Sequence, residues 1–283
     1  MRTLKSYPLM LLRRDALPPF IHRRKMSCSG VENDDMEPLN NCLSLLHILG
    51  GRVPGSRKLF WRNVRMECER FHQERFGWNR WRLLAALQTL SIYLILRLDE
   101  RQTEDSSLDS VIVATITALA MQFNSIAGEA PGSDLEARWD HWIFEESKRR
   151  LCVIYQVVDL LVYFLPAELC YARQQRGLVI APLPSKKQLW EAGDGFAWEA
   201  AREKEDAAAR FSFALAANGE LARFDPAEPL CVSDVRQLTR PQDPLTVARR
   251  VADWEEWCSG MDELGGLVML AASLMLDGLI NYA

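Results

Sequence analysis

Apolar residues recur at three- and four-residue intervals along most of this chain, which is the spacing of helices with one buried face. The clearest stretch runs from Trp139 to Leu165. There Phe144, Ser147, Leu151, Ile154, Val158, Leu161 and Leu165 fall on one stripe. Ser133 and Glu136 have the spacing of a capping box at its start, and Pro166 ends it, since proline lacks an N–H and clashes with the preceding turn. The same periodicity predicts a helix from Pro38 to Leu49, with Leu39, Cys42, Leu43, Leu46 and Leu49 inward. A second runs from Ser56, as its cap, to about Phe76, with Phe60, Val64, Cys68 and Phe71 inward. Leu83–Leu98 is apolar nearly all round and therefore central to its surroundings. Leu108 to Asn124 is rich in β-branched residues, yet its length favours a helix.

Beyond Pro166 the pattern weakens. Leu178-Val179-Ile180 reads as a short extended piece, and Ser185 with Gln188 as a second capping box that opens a short helix. Asp194–Ala217 reads as an alanine-rich helix, 218 to 243 as loop with a short helix at Ser233–Leu238, and 244 to about 280 as a long helical region that Gly265-Gly266 splits. Trp254 and Trp257 share a face of it. No sheet-forming alternation is sustained. The fold class is therefore all-α: an irregular N-terminal arm (1–37) packed on one helical body (38–283). The arm is basic at first and acidic later. Its prolines at 8, 18 and 19 oppose a single long helix, and its apolar content opposes a free tail.

Composition narrows the functional classes. Hydrophobic residues make up 48% of the 283 residues, enough for a substantial core. The formal net charge of -4 and the pI near 5.7 argue against nucleic-acid binding by bulk electrostatics. Seven scattered cysteines with no Cys-x-x-Cys pair read as reduced thiols and carry no zinc-site spacing. Leu83–Leu98 and Leu264–Leu276 are shorter than the about 20 residues of a membrane span. P-loop, dinucleotide and nucleophile-elbow fingerprints are absent. His141 and Glu145 lie one helical turn apart, but two ligands do not make a zinc site. No residue is assigned as catalytic, cofactor-binding or metal-binding.

One element is richer than stability demands. Trp139 and Trp142 precede Glu146-Ser147-Lys148-Arg149-Arg150 at the head of the long apolar helix. Leu183-Pro184, Leu189-Trp190-Glu191-Ala192 and Trp198 follow in order. This combination, which occupies 133–198, resembles the middle homology region of the zinc binuclear-cluster transcription factors of fungi. Tyr7-Pro8, Leu17-Pro18-Pro19-Phe20-Ile21-His22 and Phe60-Trp61-Arg62 resemble one branch of that family. The family's six-cysteine zinc cluster is missing.

The resemblance implies a nuclear transcription regulator of metabolic, including secondary-metabolite cluster, genes. Without the cluster it would act through the transcription machinery or a DNA-binding partner. A homodimer and a small-molecule effector are compatible with it. Arg23, Arg24 and Lys25 form a candidate nuclear-localisation or phosphate-contact patch. A cytoplasmic helical enzyme, or a sensor or scaffold without transcriptional output, is the alternative. The acidic run Asn33–Glu37 is similar to a class I terpene synthase motif, but it precedes Pro38 and has no second motif. Within the central element, Arg149 and Arg150 are expected to pair with Glu145 and Glu146, and Glu191 is a further candidate partner.

Overall fold

A computed structural model describes residues 2–13, 16–27, 34–51, 54–98, 106–126, 132–162, 178–208, 212–216, 218–224 and 244–281. The protein is all-α, with one small antiparallel sheet among the described residues. The chain divides into two compact units, Met1–Glu129 with Phe164–Leu169, and Ala130–Tyr163 with Cys170–Ala283. The arm and the body that follows it, up to residue 129, thus belong to one unit.

The first unit is built from α1 (Arg2–Arg13), α2 (Arg23–Ser27), α3 (Glu37–Gly50), α4 (Ser56–Glu74), α5 (Arg80–Arg97) and α6 (Ser106–Ser125). Every residue of α5 from Leu83 to Ile95 is buried, as its all-round apolarity requires. Helices α1, α3 and α6 pack on it. The inward stripe of α4 is Phe60, Val64, Cys68 and Phe71, as the spacing predicts. That of α3 is Leu39, Cys42 and Leu46, with Leu43 and Leu49 half-buried.

Two local expectations are corrected. Ser56 is the first helical residue of α4, and Gly55, at φ +85°, precedes it without a side-chain cap. The arm is also less irregular than its prolines suggest. Pro8 lies inside α1, and the helix persists because Leu4, Tyr7, Pro8 and Leu11 are buried together. Gln88 on α5 fastens the arm, donating from Nε2 to the Phe20 carbonyl at 2.6 Å. Segment Ser107–Ser125 is long and apolar enough to cross a membrane by length and composition alone. Here it packs on α4 and α5, burying Leu108, Ile112, Ile116 and Leu119.

The second unit contains α7 (Leu135–Val162), β1 (Leu178–Ile180), α8 (Lys187–Trp190), α9 (Gly195–Ala208), β2 (Ser212–Ala216), β3 (Leu221–Phe224), α10 (Pro244–Cys258) and α11 (Glu263–Asn281). Helix α7 packs on α9, α11 and β1. The sheet order is β1-β2-β3. It corrects the expectation of helix to Ala217 followed by loop: helix α9 stops at Ala208, and β2 pairs with β3 from Ser212↔Phe224 to Leu215↔Leu221.

Gly219, at φ +78°, belongs to the turn between these strands. A Cβ there would lie 2.4 Å from the Ala272 carbonyl of α11, so both its conformation and its contact demand glycine. The last helical region breaks at Ser259–Asp262, with Gly260 at φ +82°, and not at Gly265-Gly266. Trp254 and Trp257 do share a face, their rings 5.9 Å apart in an edge arrangement. The predicted end of the central helix at Leu165–Pro166 and the Ser233–Leu238 helix lie outside the described residues.

Burial in the first unit disfavours ionisation of three groups. It pushes the Cys68 thiol up to about 12 and raises Cys42 further. It also raises Tyr93, which lies beside Cys42. All three must stay neutral in the folded state. Their contribution is fully present below the ordinary thiol value of 9.0 and is lost as pH rises from there through about 12. The urea midpoint is therefore expected to fall across an alkaline series, and the Cys42→Ala/Cys68→Ala double variant should fall less steeply. Equal slopes for the two proteins would refute this account.

Candidate functional site

The sequence element that stood out assembles in the second unit around one buried cation. The N-terminus of α7 is capped by Asp134, whose Oδ1 accepts the Ala137 N–H at 2.7 Å. The cap is therefore one residue later than the predicted Ser133. Sixteen residues on, Arg150 is fully buried, and so is Glu146 one turn before it. The helix geometry puts i and i+4 on one face, and Arg150 Nε donates to Glu146 Oε1 at 2.8 Å.

Two more contacts complete the shell. Arg150 Nη1 donates to Asp262 Oδ2 at 2.5 Å, and Nη2 donates to the Ser185 carbonyl at 3.1 Å. The Trp190 ring covers the guanidinium at 4.2 Å from its centroid. Glu146 Oε1 also accepts the Ser185 N–H at 2.9 Å. Arg150 and Glu146 thus both bind Ser185, one through its carbonyl and one through its amide.

This corrects three expectations. The remote carboxylate on Arg150 is Asp262, not Glu191, which is exposed and lies 3.8 Å from Lys187 Nζ. Arg149 does not use the Glu145 carboxylate: its Nε donates to the Glu145 carbonyl at 3.2 Å and lies 3.4 Å from Glu146 Oε2. Ser185 does not cap α8, which spans only Lys187–Trp190 and has no side-chain cap. Its backbone is committed to the charge network instead. Asp262 escaped the sequence reading because it lies 112 residues from Arg150. Its one visible signal was local: it caps α11, with Oδ1 accepting the Leu264 N–H at 3.0 Å.

The remaining motif residues surround this core. Leu183, Pro184, Leu189, Ser147, Trp139 and Trp198 are buried. Trp142 lies 5.8 Å from Trp198, and Asp194 caps α9 by accepting the Ala197 N–H at 2.8 Å. Trp190 and Trp198 are therefore separate: one covers Arg150, the other faces the first turns of α7.

A cleft of about 110 Å³ adjoins the network. It is lined by Arg149 and by Pro184, Ser185 and Lys186 from the loop into α8. Phe213 of β2, Glu205 of α9, and Glu256 and Trp257 of α10 also line it.

The other candidate residues lie in the first unit. Lys25 Nζ sits 3.7 Å from the centre of the Trp81 ring, Arg24 N–H donates to His22 Nδ1, and Arg23 is exposed. The patch is partly invested in packing. The acidic run is likewise tied down: Asp35 accepts from Asn79 at 2.7 Å, and Glu37 pairs with Arg70 at 2.8 Å and Arg82 at 3.1 Å. Among the described residues, no group of three or more His, Cys, Asp or Glu side chains could hold a metal ion.

Comparison with family models, with curated proteins and with solved structures gives no match to this chain.

Removing one partner of a buried charge pair leaves an uncompensated charge, at a cost of about 3–5 kcal/mol. Asp262→Ala and Arg150→Glu are expected to lose stability on that scale in urea unfolding. Glu191→Ala, at an exposed position, should stay within about 0.5 kcal/mol of wild type. Equal effects at 191 and 262 would contradict the geometry.

Proposed function

We propose that this chain is the helical regulatory module of a fungal-type transcription regulator. It acts in the nucleus through protein partners on a set of metabolic genes and is not an enzyme. The supporting observation is that part of the motif, although separate in sequence, meets at one buried point, while Glu191 is exposed and Trp142 and Trp198 pair elsewhere. Glu146 and Arg150 from α7, the Leu183-Pro184-Ser185 loop and Trp190 make one hydrogen-bonded assembly. These 283 residues carry no six-cysteine cluster, so the reading assigns them the regulatory part of such a protein and not the contact with DNA.

The cleft beside Arg149, at about 110 Å³, falls well below the roughly 300–1,000 Å³ of drug-sized ligand sites, so it does not favour the alternative of a sensor for a ligand of that size.

Tethering tests the proposal. Residues 1–283 are fused to an unrelated DNA-binding domain and transcription is measured beside its sites, with Arg150→Glu as the folding-sensitive control. Wild type is expected to change output and Arg150→Glu to lose the effect. An unchanged reporter, with the fusion folded and nuclear, would remove the transcriptional reading.

A further inference from the structure

The turn between α10 and α11 brings two sulfur atoms together at the surface. Cys258 is the last residue of α10, and its Sγ lies 3.8 Å from the Sδ of Met269 in α11. Cys258 is half-buried, and Met269 is 50% exposed. Neither sulfur bonds any other group among the described residues. The turn that joins the two helices is held in place, because Asp262 caps α11 and is gripped by Arg150. Both sulfurs therefore project from fixed helices, the placement that a pair of metal ligands needs.

Thiolate and thioether are soft donors, which select copper(I), zinc and iron–sulfur clusters. Iron–sulfur clusters take a set of cysteines. Zinc takes three or four protein ligands, and no group of three or more His, Cys, Asp or Glu side chains stands ready for a metal among the described residues. Copper(I) is content with fewer donors. With metal–sulfur bonds of about 2.3 Å, as in zinc thiolates, sulfurs 3.8 Å apart flank an ion at roughly 110° and leave a third position open to solvent.

The surroundings suit a cation. From Val251 to Ala283 the sequence has six carboxylates and no Lys, Arg or His. Cys258 also sits at the C-terminal end of α10, where the helix dipole favours positive charge. Burial raises the Cys258 thiol above its ordinary value of 9.0. At neutral pH it is a thiol, and a metal ion must displace its proton.

We propose that Cys258 and Met269 form a surface site for copper(I), with Cys258 bound as thiolate and Met269 as thioether. Each ion bound releases one proton, so affinity falls as the solution is made more acid. An ion there ties α10 to α11 beside the turn that carries Asp262. The inference stands apart from the transcriptional reading, because binding is read on the purified chain alone.

Anaerobic titration of the reduced full chain with copper(I), against bathocuproine disulfonate as competing chelator, tests it. The methionine methyl groups are isotope-labelled and followed by NMR, and Met269→Leu identifies the signal of Met269. One equivalent of copper(I) is expected to shift that signal, and Cys258→Ser to abolish the shift. Met269→Leu should weaken binding by at least about tenfold, the lower end of the loss on altering a residue behind the metal ligands. Both variants replace residues at the surface, so their circular dichroism should match that of wild type. A Met269 signal unmoved by copper(I), a shift that persists in Cys258→Ser, or undiminished affinity in Met269→Leu would overturn the site. The same shift with zinc(II) would overturn the choice of metal.

Discussion

A guanidinium with no exposure to water is the constraint on which the second unit depends. Taking such an ion out of solvent costs several kcal/mol even after relaxation, and only close partners return it. Arg150 has two carboxylates, a backbone carbonyl and an aromatic face. These come from four separate places in the chain: α7 itself, the loop before α8, α8, and the turn before α11. Apolar contacts tolerate sliding; a guanidinium with named acceptors does not. The network therefore acts as a register pin, setting where the loop at Ser185 and the turn at Asp262 must sit on α7.

The first unit uses a different principle. Its centre is a helix buried on every side, and its buried polar side chains are uncharged groups such as Gln88, Ser91 and Thr115 that bond backbone carbonyls. Gln88 serves the arm, Ser91 bonds the Gln88 carbonyl, and Thr115 bonds the Val111 carbonyl. The charges lie nearer the surface: Glu37 pairs with Arg70 and Arg82 at partial exposure, where solvent screening leaves each pair worth about 1 kcal/mol or less. One unit is positioned mainly by volume and the other by charge. The motif residues belong to the second.

Helices were legible in the sequence because their signal is local and repeated. The stripe Phe60, Val64, Cys68 and Phe71 names its own buried face, and so does the unbroken apolarity of Leu83–Ile95. The short sheet was missed for the opposite reason. Strand β2 is buried on both faces from Phe213 to Ala216, so its residues do not alternate and look like the tail of an alanine-rich helix. The usable sign was Asn218-Gly219, a strong hairpin signal when flanked by two strand-length apolar runs. Caps were misplaced by one residue where two candidates stood side by side, as with Ser133 and Asp134. The importance of Glu146 and Arg150 was readable from their spacing, because burial and charge together are unusual. Their partner was not. Nothing in Met261-Asp262-Glu263 distinguishes a helix cap from a helix cap that also neutralises a distant arginine.

The separation of Arg150 from Asp262 also has a meaning in time. A chain made at roughly 5–20 residues per second presents α7 on the order of ten seconds before residue 262, which lies 112 residues later. Through that interval the partners of the arginine arrive as Glu146, then Ser185, then Trp190, with the second carboxylate still to come. The first unit has by then been synthesised through α6 and can collapse on its own helices. The second cannot complete its charge network until Asp262 has been made. Its motif helix is one of the earlier parts to be made and one of the last to be neutralised.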